Sequence, residues 1–131
     1  MSMPLHHLIS GGPRPVAPFS HAVEADGWVF VTGQMPTDPE APNAPLPEGI
    51  EAQTRRVFEN LKIVLGGIGL GLGNVTMVRI YLTHFERDYG PFNAIYPGFF
   101  EAGKLPARTT VGVTALAVGA LVEIDLVARR A

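Results

Sequence analysis

The run "IEAQTRRVFENLKIVLGGI", residues 50–68, is the stretch on which the fold turns. Ile50, Thr54, Val57, Phe58, Leu61, Val64, Leu65 and Ile68 recur at steps of three and four, the period of a helix with one buried face. Glu51, Arg55, Arg56, Glu59 and Lys62 fall mostly off that stripe. Gly66 and Gly67 weaken its end, and the glycines from 69 to 73 stop it. Upstream the pattern is different. "SGGPRPVAPF" (10–19) is a Gly/Pro loop, and "SHAVEADGWVFVTGQ" (20–34) places Asp26-Gly27 between two short runs of strand formers, a hairpin signal. "MPTDPEAPNAPLPEG" (35–49) is a proline-rich loop, long enough without structure of its own to be functional or mobile.

Downstream, "NVTMVRIYLTHF" (74–85) reads as a long strand. "RDYGPFNAIYPGFFEAG" (87–103) reads as a second helix carrying Phe92, Tyr96, Phe99 and Phe100, with a conflict at Pro97-Gly98 because Pro97 removes a helical donor. "ARTTVGVTAL" (107–116) and "ALVEIDLVAR" (120–129) close the chain as two strands joined through residues 117–119. With a short strand near His7 to Ile9, the order is β-β-β-α-β-α-β-β. That order predicts an α+β domain, one over residues 1–131, with both helices on one face of a mixed sheet.

Composition bounds the function. The chain has 131 residues, enough for one buried core, and 47% are hydrophobic against 17% charged. A net charge of −2 offers no attraction for nucleic acid or an anionic membrane, so neither is expected as a partner. There is no cysteine, which removes disulfides, thiolate metal sites and Cys nucleophiles. His6, His7, His21 and His84 lack paired helical spacing, so no metal is expected. The start "MSMPLHHLIS" has no basic segment followed by an apolar one, and the glycine-broken run from 63 to 78 is too short to span a bilayer. A cytoplasmic location is the expectation. "GFFEAGK" (98–104) has phosphate-loop spacing, but Leu105 replaces the Ser/Thr and the segment ends a helix instead of opening one.

Period-2 alternation sorts the last two strands into faces. Val122, Ile124, Leu126 and Ala128 share one face, and Leu121, Glu123, Asp125 and Val127 the other. Val111, Val113 and Ala115 oppose Arg108, Thr110, Gly112 and Thr114. If the apolar faces meet the helices, Arg108 and Glu123 share the outer face with Leu121, Val127, Trp28 and Phe30. Such a face is apolar enough to call for cover by another subunit. With Gly112 opposite Glu123, a register that the pattern leaves open, Arg108 lies four residues along, roughly 13 Å by backbone. Taken alone, Arg108 reads as the solvated charge usual at a strand start, and Glu123 as an edge-strand charge against aggregation.

Taken together, "VFVTGQ", "EAQTRRVFENLKIVL", "YLTHFERDYGPFNAIYPGFF", "LPARTTV" and "GALVEIDLVA" resemble the YjgF/RidA family of enamine/imine deaminases, over nearly the whole chain. The resemblance implies a chorismate-mutase-like fold and a homotrimer with sites at the subunit interfaces. It implies hydrolysis of a reactive 2-imino acid to a 2-keto acid and ammonia, without cofactor. Arg108 matches the arginine that clamps the substrate carboxylate, and Glu123 the glutamate that serves the attacking water. Thr32 and Gly33 match the "SGQ" lining segment, with Thr for the commoner Ser, and Asn93 matches an asparagine near the site. Three positions depart from the family pattern. Phe19 stands where active members often carry Tyr, Thr110 where many have Cys, and Gly112 where many have Glu. These departures imply a more open and less polar pocket. They also keep alive a divergent member that binds a small carboxylate, or works as a regulatory or chaperone-like trimer, with little turnover.

Overall fold

The computed structural model describes residues 3–15 and 17–131. The stripe at 50–68 forms a helix that turns its apolar side onto a six-stranded sheet. The elements run β1 (Leu5–His7), β2 (Ala22–Ala25), β3 (Trp28–Gln34), α1 (Gly49–Gly66), β4 (Val75–Leu82), α2 (Phe85–Ile95), β5 (Ala107–Gly112) and β6 (Val122–Arg129). The order of elements is the one expected, and the class is α+β. The first strand lies slightly earlier than predicted. The second helix begins at Phe85 and ends at Ile95, passing into a 3-10 turn over Tyr96–Phe99. Pro97 sits in the first residues of that turn, where its missing N–H deprives no partner, so the conflict at Pro97-Gly98 is resolved by a change of helix type.

The sheet order is β1-β2-β3-β6-β4-β5. Only β4 and β5 are parallel, with α2 as their crossover. The last strand, β6, inserts between β3 and β4 and runs antiparallel to both. This corrects the pairing drawn from the sequence: β5 and β6 follow one another in the chain but do not touch as strands. The β2–β3 hairpin closes through Asp26 and Gly27, both with positive φ, the two-residue turn whose twist suits a hairpin. A Cβ on Gly27 would also collide with the Arg129 guanidinium.

The core lies between α1 and the sheet. Val57, Phe58, Leu61, Val64 and Leu65 of α1 meet Val29 and Val31 of β3, Val78, Ile80 and Leu82 of β4, and Val122, Ile124 and Leu126 of β6. Phe58 stacks on Phe99 with ring centroids 4.0 Å apart, which joins α1 to the turn after α2. Two buried amides on α1 tie down loops that the helix would otherwise leave loose. Asn60 Nδ2 donates to the carbonyls of Met35 and Thr37 at 2.9 and 2.8 Å. Gln53 donates to the Pro47 carbonyl and accepts from the Leu121 N–H. Leu121 therefore precedes β6 and packs against the core, not on the outer face as expected. No helix among the described residues is long and apolar enough to cross a membrane.

Candidate functional site

Arg108 lies beneath α2. The parallel register sets Arg108 beside Val78 and Thr110 beside Ile80, both buried under the helices, so Arg108 and Thr110 point to the helical side. Residues 89, 92, 93 and 96 recur at steps of three and four on α2 and its 3-10 extension, which turns them to one side. The Arg108 carbon Cζ lies 4.7, 5.3 and 5.8 Å from the ring centres of Tyr96, Phe92 and Tyr89. A planar cation stacks well on such faces. Nε donates to Thr110 Oγ1 at 2.8 Å, and Nη2 donates to Asn93 Oδ1. The other terminal nitrogen, Nη1, has no partner among the described residues. The arginine is thus aimed by two hydrogen bonds, with donors left over for an anion. Burial pushes the Tyr96 phenol above its ordinary range, and Arg108 works against that shift.

Glu123 belongs to the opposite face of the sheet. It pairs across β4 with Tyr81, while its neighbours Val122 and Ile124 point into the core. The β3–β6 register shifts between Val31 and Gln34, at Thr32-Gly33. Gly33 leaves room there for the Glu123 carboxylate, which an added Cβ would displace. Phe19 and Gly33 line one small cavity, and Phe19 and Thr32 border an open apolar groove on the same side. Asp125, two residues along, takes two hydrogen bonds from Arg79 at 2.7 and 3.2 Å and one from the Tyr81 hydroxyl at 2.9 Å. Glu123 has no hydrogen-bond or ion-pair partner among the described residues. Burial pushes its carboxyl above the ordinary range, and the neighbouring Asp125 charge adds to the shift.

The candidates therefore form two clusters. Arg108, Asn93 and Thr110 stand on the helical face, and Glu123, Gly33, Thr32 and Phe19 gather on or beside the other. This overturns the expectation that Arg108 and Glu123 share a face. Tyr81, not Gly112, stands opposite Glu123, and Tyr81 is also beside Val111. Arg108 is then two strand spacings and three residues away, about 10 Å in each direction by backbone, with its side chain on the other side of the sheet. One chain does not bring both to one small ligand. Gly112 takes no part in either cluster; it admits Phe85, whose Cβ would lie 3.0 Å from an added Cβ. Nor is the arginine cluster less polar for Thr110, whose hydroxyl accepts from Arg108. The sequence reading missed the three aromatic rings around Arg108 and the Arg79–Asp125–Tyr81 network. The aromatic spacing 89, 92, 96 was the available signal for the first.

Residues 10–130 match the family model described as Endoribonuclease L-PSP. A RutC family protein of Saccharolobus solfataricus is 39% identical over 118 residues, covering 90% of this chain and 91% of that protein. Among solved structures, RidA from an Antarctic Psychrobacter superposes with a TM-score of 0.88 at 31% identity, over 95% of this chain and 99% of that one. TdcF of E. coli, solved with bound serine, gives 0.87 at 26% identity, over 95% and 98%. The chain belongs to the YjgF/RidA family, to which the endoribonuclease L-PSP model and the RutC relatives attach it.

Proposed function

We propose that this protein is a hydrolytic deaminase of 2-imino acids that works as a homotrimer, each site made of the arginine cluster of one copy and the Glu123 cluster of the next. The observation that carries the reading is the separation of the two clusters. Each is half of a site, and the outer sheet face beside Glu123 exposes Trp28 by 43% and Phe30 by 51%, a surface suited to a neighbouring copy. That a relative was solved with bound serine supports a small ligand with a carboxylate.

In this mechanism the Arg108 guanidinium, aimed by Asn93 and Thr110, binds the substrate carboxylate. Glu123, whose raised pKa makes it a better base than an ordinary carboxylate, takes a proton from water as the oxygen attacks the imine carbon. The imine carbon is itself electrophilic. As the C–O bond forms, the C=N π pair moves to nitrogen, which receives the proton taken by Glu123, giving a carbinolamine. Glu123 then carries the hydroxyl proton to the nitrogen as the C–N bond breaks and the C=O bond forms, and ammonia and a 2-keto acid leave. Phe19 offers no hydroxyl to water or substrate, and this favours as second reading a carboxylate-binding trimer with little turnover.

The test is loss of the ultraviolet signal of 2-aminoacrylate with matching ammonia release. Wild type is expected to accelerate the loss. Arg108→Ala is expected to lower kcat/KM by on the order of 100-fold while the circular dichroism spectrum stays native, since it deletes a charge-assisted contact. Arg108→Lys is expected to recover little, because a point charge cannot replace the planar fork. Undiminished turnover in Arg108→Ala would remove the clamp.

A further inference from the structure

Arg14 stands between Pro13 and Pro15. Their rings hold φ near −65°, and Pro15 also keeps Arg14 in extended backbone. The buried imidazole of His21 pins this segment from below. Its Nδ1 accepts from the Ile9 N–H at 2.7 Å, and its Nε2 donates to the Pro13 carbonyl. An exposed arginine is thus presented from a stiff backbone. It makes no ion pair among the described residues.

Arg14 lines two cavities. The first is the small one that contains Phe19 and Gly33, the glycine on which the Glu123 carboxylate rests. The second, about 270 Å³, is formed by Arg14, Pro15, Thr37, Pro42, Asn43 and Val118. Arg14, Pro15 and Thr37 belong to both, so the two cavities adjoin at Arg14, and the wall of the first carries Gly33, the residue against which the Glu123 carboxylate lies. Thr37 is held in place through its carbonyl by Asn60. The far wall therefore offers a cation, a hydroxyl and a carboxamide, and no carboxylate. A purely aliphatic substrate end would leave Arg14 without a counter-charge, whereas an anionic end would be matched by it.

We infer that the larger cavity receives the distal end of the substrate and that Arg14 binds an anionic group there, so that 2-imino dicarboxylates are the preferred substrate class. This rests on the deaminase reading. Arg108 of one copy holds the carboxylate next to the imine, Glu123 of the next serves the water, and Arg14 on the same copy as Glu123 selects the far carboxylate.

The experiment compares kcat/KM for the imines of glutamate and norleucine, each generated in situ by an amino-acid oxidase, in wild type, Arg14→Gln and Arg14→Glu. Equilibrium binding of 2-oxoglutarate and 2-oxohexanoate is measured alongside. Wild type is expected to favour the dicarboxylate by roughly tenfold, what one charge-assisted contact at an exposed position supplies. Arg14→Gln should erase that ratio and Arg14→Glu invert it, and keto-acid binding should move the same way. Turnover of both imines without preference, or a preference that survives Arg14→Gln, overturns the role of Arg14 and leaves the deaminase reading standing. Arg14-dependent binding of 2-oxoglutarate with no turnover of either imine supports the anion site and defeats the deaminase reading.

Discussion

Two carboxylates two residues apart on β6 have opposite fates. Asp125 is neutralised by Arg79 and hydrogen-bonded by Tyr81, whereas Glu123 rests on Gly33 without a cation. Burial first, and the Asp125 charge second, raise the Glu123 pKa. A base must be ionised to act, so the acid side of the rate profile should fall at a higher pH than an ordinary glutamate, near 4.3, would give. Glu123→Gln is expected to lower kcat by on the order of 100-fold and to abolish that acid limb. The variant should not lose stability, because a half-buried ionised carboxyl without a partner burdens the folded state and the amide removes that burden. A kcat profile from pH 4 to 9 checks this, and an acid limb that persists in the glutamine variant would assign it to another group.

At the level of elements, α1 was legible because its stripe runs for five turns without interruption, and the β2–β3 hairpin because Asp26-Gly27 supplies the two positive φ values such a turn needs. The neighbours of β5 were not legible. Period-2 alternation tells which residues share a face but not which face meets the helices or which strand lies alongside. Val111 and Val113 looked like the buried side, yet β5 is an edge strand and Val111 is exposed, while the aromatic residues of α2 cover Arg108 instead. That one inversion put Arg108 on the wrong side of the sheet. The end of α2 was hidden for a related reason: Tyr96, Phe99 and Phe100 keep packing on Phe58 after the helix has tightened, so their apolar spacing outlasts the helix. Phe58 consequently holds α1, the 3-10 turn and the sheet together with no exposed surface. Phe58→Ala is expected to cost about 3–5 kcal/mol, as a full-size cavity does in a close-packed core. Urea unfolding followed by circular dichroism measures it, and a loss below 1 kcal/mol would mean that the α1–α2 junction does not depend on this ring.

For the whole molecule, the separation of the two clusters becomes a statement about assembly. A cyclic arrangement repeats one heterologous contact, so in the proposed trimer each interface would join the Arg108 side of one copy to the Glu123 side of the next. Light scattering after size exclusion should then give about three chain masses. The proposed trimer would also cover the exposed Trp28 and Phe30, which lie on the face that carries Glu123. The most direct measurement mixes two inactive variants. Arg108→Ala copies keep Glu123, and Glu123→Gln copies keep Arg108. In a closed ring of three containing both kinds, one interface joins two intact halves, so random equimolar mixing after dissociation and reassembly should restore about a quarter of the wild-type sites. The account predicts that 2-aminoacrylate turnover in the mixture recovers to about that fraction, while either variant alone stays inactive. A mixture that exchanges subunits, as verified by mass, yet remains as inactive as its components would contradict a site shared between copies.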